Sequence, residues 1–266
     1  MTTKAGRFEV RHDGVTISAS RGGRGRPLVL CPGLLTTQAD LHELTELLRR
    51  DFDVVTFDLR GHGLSSPADR YTFEAFLGDL DAVLAEVAPR APLLVGHSLG
   101  ADLAVHHAAG HPDAVAGLVL VDGANPIPEP FLTEADLPEF RAMAESLRHE
   151  FARAEGTAHQ VLLTPQDFLD LNLEIEAVRS SILDRYREID RPVHLIMSTS
   201  MAGNGGDART QWRNRNWRAG VERLVRERPH VATSWLEADH RLVVTHAPEV
   251  ARLIHDVQRP WTLDRC

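Results

Sequence analysis

Short apolar segments alternating with amphipathic ones predict an α/β fold, with a mostly parallel central sheet, helices on both faces and a helical cap. Three observations carry this expectation. Strand-like PLVLC, FDVVTF, PLLV and LVLV recur with helical stretches between them. The rhythm breaks at NPIPEP, where three prolines fall within six residues, and acidic, mainly helical pattern follows. Strand-like PVHLIM then resumes the alternation.

Residues 7–19 alternate weakly around His12-Asp13-Gly14, an edge-hairpin signal, and Gly22, Gly23 and Gly25 mark a turn before PLVLC. The helical segment LHELTELLRR leads into a second strand at 52–57, and amphipathic 76–87 leads into a third at 92–95. The small-residue helix ADLAVHHAAG precedes a fourth strand at 118–121. Beyond the interruption come a strand at 192–197, a helix over 210–228, a strand at 231–236 and a helix over 248–257. This pattern divides the chain into a core of 1–125 and 191–266 and a cap of 126–190, with no internal repeat.

A chain of 266 residues with 43% hydrophobic and 25% charged residues has the composition of a folded domain. Its net charge of −9 disfavours a broad nucleic-acid or anionic-membrane footprint. No apolar run approaches the roughly 20 residues needed to span a bilayer, and MTTKAGRFEVRHDG lacks the apolar stretch of a secretory signal, so the expected address is cytoplasmic. Cys31 and Cys266 are too few and too far apart in sequence for a disulfide framework or a CxxC pair. Cys31 is expected to be buried, and Cys266 to be a terminal thiol open to artefactual reaction.

The sharpest chemical signal is Gly96-His97-Ser98-Leu99-Gly100 between PLLV and a helix. Glycines on both sides of Ser98 allow a tight strand-to-helix turn that lifts its hydroxyl above the sheet. With Pro32-Gly33 after PLVLC, DLRGHGLSS at 58–66 and a late His240 followed by HAPEVARLI, the chain resembles the α/β-hydrolase superfamily over nearly its full length. The resemblance implies Ser98 as nucleophile, against the Asp usual in dehalogenase and epoxide-hydrolase branches, and His240 as its base. A serine hydroxyl needs such an imidazole to take its proton. His97 is too close to the turn to be that base, while His106 and His107 fit packing or surface roles.

Two acids compete to orient the base. Asp122 directly follows LVLV, where a carboxylate can receive the other imidazole N–H. Many superfamily members place the acid after the strand represented here by PVHLIM, but the first acid there is Asp207, beyond STSMAGNGG. We favour Asp122, with Asp207 as the alternative; Asp207 also suits the cap of the helix near Thr210, and Asp239 a local loop role. The resemblance puts the oxyanion donors at the backbone amides of Leu34 and Leu99. Leu99 N–H also stands at a helix N-terminus, where amides lack intrahelical partners.

Other features read as scaffold. Gly61 and Gly63 belong to no nucleotide-binding motif; Arg60 and His62 could line the pocket mouth, but a solvated loop or a local salt bridge explains them more cheaply. In WRNRNWR, Trp217, Val221 and Leu224 follow helical spacing and read as packing. No HExxH or closed Cys/His set suggests a metal, and no cofactor is expected. Cap residues Pro126, Ile127, Pro128, Pro130, Phe131, Leu132, Phe140, Met143, Phe151, Leu162, Leu163 and Phe168 either line a tunnel over Ser98 or form the cap's own core. The expected function is a cofactor-independent serine hydrolase acting on a small-molecule carbonyl substrate, an apolar ester or lactone, without nucleic-acid or membrane partners. An acyltransferase or thioesterase, and a noncatalytic ligand-binding protein of this fold, are the alternatives.

Overall fold

The computed structural model describes residues 6–263, and Cys266 lies outside them. Strands β1 (Gly6–His12) and β2 (Val15–Gly23) form the expected hairpin at one edge of the sheet. The sheet continues with β3 (Arg26–Cys31), β4 (Phe52–Phe57), β5 (Leu93–His97), β6 (Gly117–Val121), β7 (Val193–Ser198) and β8 (Ala232–Leu236). The order is β1-β2-β4-β3-β5-β6-β7-β8, antiparallel through β1, β2 and β4 and parallel from β4 to β8. β2 runs past the weak alternation to Gly23, because Gly22 and Gly23 pair with Val54 and Asp53 of β4.

The continuous apolar runs are explained by burial on both faces. Side chains alternate across a strand, so Leu28 and Leu30 of β3 enter one core while Val29 and Cys31 enter the other. The first core includes α1 (His42–Leu48), α8 (Leu242–Thr245) and α9 (Ala247–Leu263) through Leu44, Leu48, Val243, Val250 and Ile254. The second includes α2 (Phe73–Val87) and α3 (Leu99–Gly110) through Phe76, Leu80, Leu103 and Ala104. Short α8 had no sequence signal: four residues are too few to display a helical period.

The helices α4 (Leu137–Ala154), α5 (Pro165–Ser180) and α6 (Ile182–Arg187) are inserted between β6 and β7 as a helical cap. Thr164 and Asp167 form a reciprocal cap at the start of α5, with Pro165 at its first position. Polar ties hold the insertion to the core. Arg179 of α5 pairs at 2.6 Å with Asp102, fully buried on α3, and Tyr186 O–H donates to the Ala124 carbonyl. Gly63 N–H donates to the Gln160 carbonyl and Leu162 N–H to the Gly61 carbonyl, so the glycine loop at 61–63 serves as a docking edge. The parallel strands all end on one side of the sheet, which gathers the turns after β3, β5, β6, β7 and β8.

Candidate active site

Ser98 stands at the turn between β5 and α3 with φ 52° and ψ −120°, a conformation outside the ordinary regions for a side-chain-bearing residue. Its flanking glycines are required by close approach. A β-carbon on Gly96 would lie 2.3 Å from the Gly100 carbonyl oxygen, and one on Gly100 would lie 2.2 Å from that of Cys31. Ser98 N–H bonds to the Val121 carbonyl at 3.0 Å, anchoring the turn to β6.

His240 follows β8, and its Nε2 lies 2.9 Å from Ser98 Oγ. Its Nδ1 lies 2.8 Å from Asp122 Oδ2. Asp122, immediately after β6 at φ 47°, is fully buried. Burial acts to raise its carboxyl pKa, but the hydrogen bond and charge of His240 and the donors of Ser198 outweigh it, holding the group below its ordinary value. An ionised carboxylate only accepts, so Nδ1 donates to it and Nε2 faces the Ser98 hydroxyl.

Four donors fill the acceptor sites of Asp122. Besides His240, Ser198 supplies its N–H to Oδ1 at 2.9 Å and its O–H to Oδ2 at 2.8 Å, and Trp217 Nε1–H reaches Oδ1 at 2.9 Å. Sequence reasoning missed both residues. Trp217 does pack as its helical spacing predicts, buried in α7 (Ala208–Glu227) and stacked on Phe131, but its polar tip points at the acid. Ser198 closes β7, and its pairing with Asp122 follows from β6 and β7 being neighbours, which no local motif signals.

The alternative acid lies elsewhere. Asp207 caps α7, accepting from Thr210 N–H at 2.9 Å, and among the described residues it has no bond to His240. Asp239 accepts from Arg241 N–H within its own loop.

The turn after β3 brings Leu34 beside this array, and neither Leu34 N–H nor Leu99 N–H meets an acceptor among the described residues. Leu35 N–H is engaged, bonding to His62 Nε2 at 3.3 Å, while His62 Nδ1–H donates to the Arg60 carbonyl at 2.9 Å. Arg60 is buried and doubly bonded to Asp79, at 2.7 and 2.8 Å. Of the two readings of Arg60 and His62, the local ion pair holds for Arg60 and the pocket mouth for neither: both face inward, and His62 braces the turn carrying Leu34 and Leu35. Burial lowers the His62 pKa to about 4, so the imidazole stays neutral and able to accept.

His97 is likewise buried, and burial followed by the neighbouring His240 lowers its pKa to about 3. Its Nε2–H donates to the His240 backbone carbonyl at 2.9 Å, tying the two loops together. Cys31 is buried, which pushes its thiol up to about 12 and leaves it without thiolate character near neutrality.

A cavity of about 530 Å³ opens beside His240 and His97. Leu34, Leu35, Val161 and Val243 line it together with Leu147 and Phe151 of α4, and Asp40, Glu150, His159 and Arg241 add charged or polar edges. Of the cap residues singled out above, Phe151 reaches this wall, whereas Leu163 and Phe168 are buried in the hydrophobic core and Met143 is exposed. A second concavity of about 590 Å³, along α7 and β8 at Val221, Val225 and Trp235, contains none of the polar array.

Such an array suits proton removal from a serine hydroxyl, with two unpaired amides beside it to receive developing negative charge. A family model described as the alpha/beta hydrolase fold matches residues 26–242. The 2-(acetamidomethylene)succinate hydrolase of Mesorhizobium japonicum is 27% identical over 213 residues, 70% of this chain and 75% of that protein. The N-formylmaleamate deformylase of Pseudomonas putida is 37% identical over 103 residues, 38% of each chain. Among solved structures, one from a study of carboxylesterases of Nitrososphaera gargenis superposes with a TM-score of 0.74 at 18% identity, covering 97% of this chain and all of the other. The crystal structure of E-2-(acetamidomethylene)succinate hydrolase gives 0.70 at 20% identity, covering 95% and 98%. At these identities the solved structures speak for the fold alone, and with the family match they lead to one conclusion: the chain belongs to the α/β-hydrolase fold family and is an enzyme of the hydrolase type.

Proposed function

We propose that this enzyme is a cofactor-independent serine hydrolase that cleaves a small to medium apolar ester or lactone through an acyl-serine intermediate. The observation that carries this reading is the continuous chain from Ser98 Oγ to His240 Nε2, and from His240 Nδ1 to buried Asp122, at 2.9 and 2.8 Å. In the proposed sequence His240 Nε2 takes the hydroxyl proton as Ser98 Oγ bonds to the carbonyl carbon. Asp122 orients the imidazole and stabilises its charged form, and the Leu34 and Leu99 amides receive the oxyanion. Each such donor contributes about 3 to 4 kcal/mol of transition-state stabilisation. The imidazolium then protonates the departing alcohol, and a water deprotonated by His240 releases the acid and restores Ser98. For a lactone the alcohol stays attached to the acyl chain through the first step.

The cavity supports a neutral acyl group. Both curated relatives carry the names of anionic substrates, a succinate and a maleamate. Here Asp40 and Glu150 stand on the wall against such a charge, His159 is paired with Asp40 at 2.7 Å, and Arg241 is the one arginine at the edge among the described residues, outnumbered by the two carboxylates. The apolar stretch from Leu34 to Phe151 and Val161 favours burial of hydrocarbon instead.

Intact-mass detection of fluorophosphonate labelling tests the nucleophile. One adduct on the wild-type chain, absent from folded Ser98→Ala and His240→Ala variants, is the expected result; no adduct on the wild type overturns the reading. A panel of neutral esters, lactones, thioesters and dicarboxylate amides then tests the substrate class, and faster turnover of the dicarboxylate amides overturns the ester assignment. Product masses with added alcohol distinguish hydrolysis from acyl transfer to a non-water acceptor.

A further inference from the structure

We propose that Asp81, His107 and His111 form a binding site for a divalent transition-metal ion, at the end of α3 away from Ser98. His107 lies in the last turn of α3 and His111 is its C-cap, while Asp81 belongs to α2, packed alongside. One ligand atom from each of the three lies within 4.8 Å of the other two. His107 Nδ1 and Asp81 Oδ1 approach to 2.6 Å, and the two imidazoles stack at 4.5 Å between centroids with an interplanar angle of 20°. Ligand atoms around a tetrahedral zinc ion with bonds of about 2.0 to 2.2 Å stand about 3.3 to 3.6 Å apart. Ligation therefore requires the first separation to open and the wider ones to close by rotation of the side chains.

The local chemistry is prepared for a cation. The His111 ring donates Nδ1–H to the His107 carbonyl at 3.0 Å, which leaves the lone pair on Nε2; a backbone carbonyl fixes ligating histidines in the same tautomer at metal centres. The three groups gather at a helix C-terminus, the end whose dipole favours positive charge. His107 is only 7% exposed in its side chain and held by Asp81, so its ring is already ordered, and the ion would displace the Nδ1 proton it donates to the carboxylate; Asp81 is 41% exposed and His111 lies at the surface, leaving open positions for water. Two imidazoles and one carboxylate select zinc, cobalt or nickel over magnesium or calcium, which take oxygen ligands.

The site lies roughly 14 to 20 Å along the helix from Ser98, at 1.5 Å of rise per residue, so the ion would fasten α2 to α3 rather than act on substrate. No sequence motif announces it, because Asp81 comes from a different helix, 26 residues before His107.

Full-length protein stripped with chelator and titrated with Co²⁺ tests this through the visible absorption of the bound ion, with Zn²⁺ titration calorimetry and Tm beside it. The expected result is one ion per chain at micromolar affinity, a raised Tm, and at least tenfold weaker binding in His111→Ala and in Asp81→Asn. Both variants should keep wild-type activity in chelator. Binding should persist in His240→Ala, since a zinc ion held at His240 would be lost there. Absence of stoichiometric binding, unchanged affinity in His111→Ala, loss of binding in His240→Ala, or equal affinity for Ca²⁺ would each overturn the assignment. His111 is exposed, so its variant is expected to fold, and circular dichroism verifies this.

Discussion

Helices α3 and α4 belong to opposite regimes of the same molecule. Ten of the twelve residues of α3 are buried, whereas of the eighteen in α4 only Ala144 is. α3 is clamped under the strained turn at Ser98, with Gly100 seated against the Cys31 carbonyl; α4 lends Leu147 and Phe151 to the cavity wall while most of its surface meets water. Its start is tied to α7 by ion pairs from Arg209 to Asp136 and Glu139 and from Arg213 to Glu139. The difference teaches that the proposed chemistry sits on a closely packed turn that leaves no room for a side chain at Gly96 or Gly100, while the cavity wall is supplied in part by a helix whose residues are mostly exposed.

Substitutions that test the rigid half should act most strongly. Ser98→Ala is expected to lower kcat on the order of a million-fold, with the fold retained by circular dichroism. Asp122→Asn should lower kcat by about ten thousand-fold, because an amide offers the imidazole the wrong partner, whereas Asp207→Asn should stay within about twofold. Steady-state kinetics decide between them, and collapse in Asp207→Asn alone would reverse the assignment of the acid. Trp217→Phe keeps the stacked ring and removes one donor from Asp122; about a tenfold loss in kcat with little change in KM is expected. Alanine at Leu147 or Phe151, in the adaptable half, should raise KM several-fold and leave kcat within about twofold. A comparable fall in kcat there would mean that α4 shapes the transition state and would dissolve the contrast.

The rigid half also carries a stability signature. His62 and His97 have folded pKa values of about 4 and about 3, against about 6.5 in an unfolded chain. Below pH 6.5 the unfolded chain therefore binds protons that the folded chain refuses. The stability contribution is complete above that pH and is lost as pH falls towards 4 and 3. Each histidine contributes a slope that rises to about 1.4 kcal/mol per pH unit once the unfolded imidazole is fully protonated, so these two should make urea unfolding at pH 6.5 and pH 5 differ by about 3 kcal/mol. His62→Asn should remove about half of that dependence.

The alternation of apolar strands and helices was legible because a parallel sheet buried on both faces needs unbroken hydrophobic runs, and FDVVTF coincides with β4. The small residues around Ser98 were legible for a related reason: a turn that passes 2.2 Å from a neighbouring carbonyl at a would-be β-carbon excludes every residue but glycine. Asp122, Ser198, Trp217 and His240 come from four different elements, and their meeting depends on strand order and on the docking of α7. The inward direction of Arg60 and His62 and the Asp81–His107 pairing depend on helix α2 in the same way. Local periodicity and turn chemistry thus reside in neighbouring residues and can be read along the chain. Which acid meets the imidazole, which donors fill that acid and which side chains wall the cavity are settled by contacts between distant segments, whose geometry exists only once the sheet has assembled.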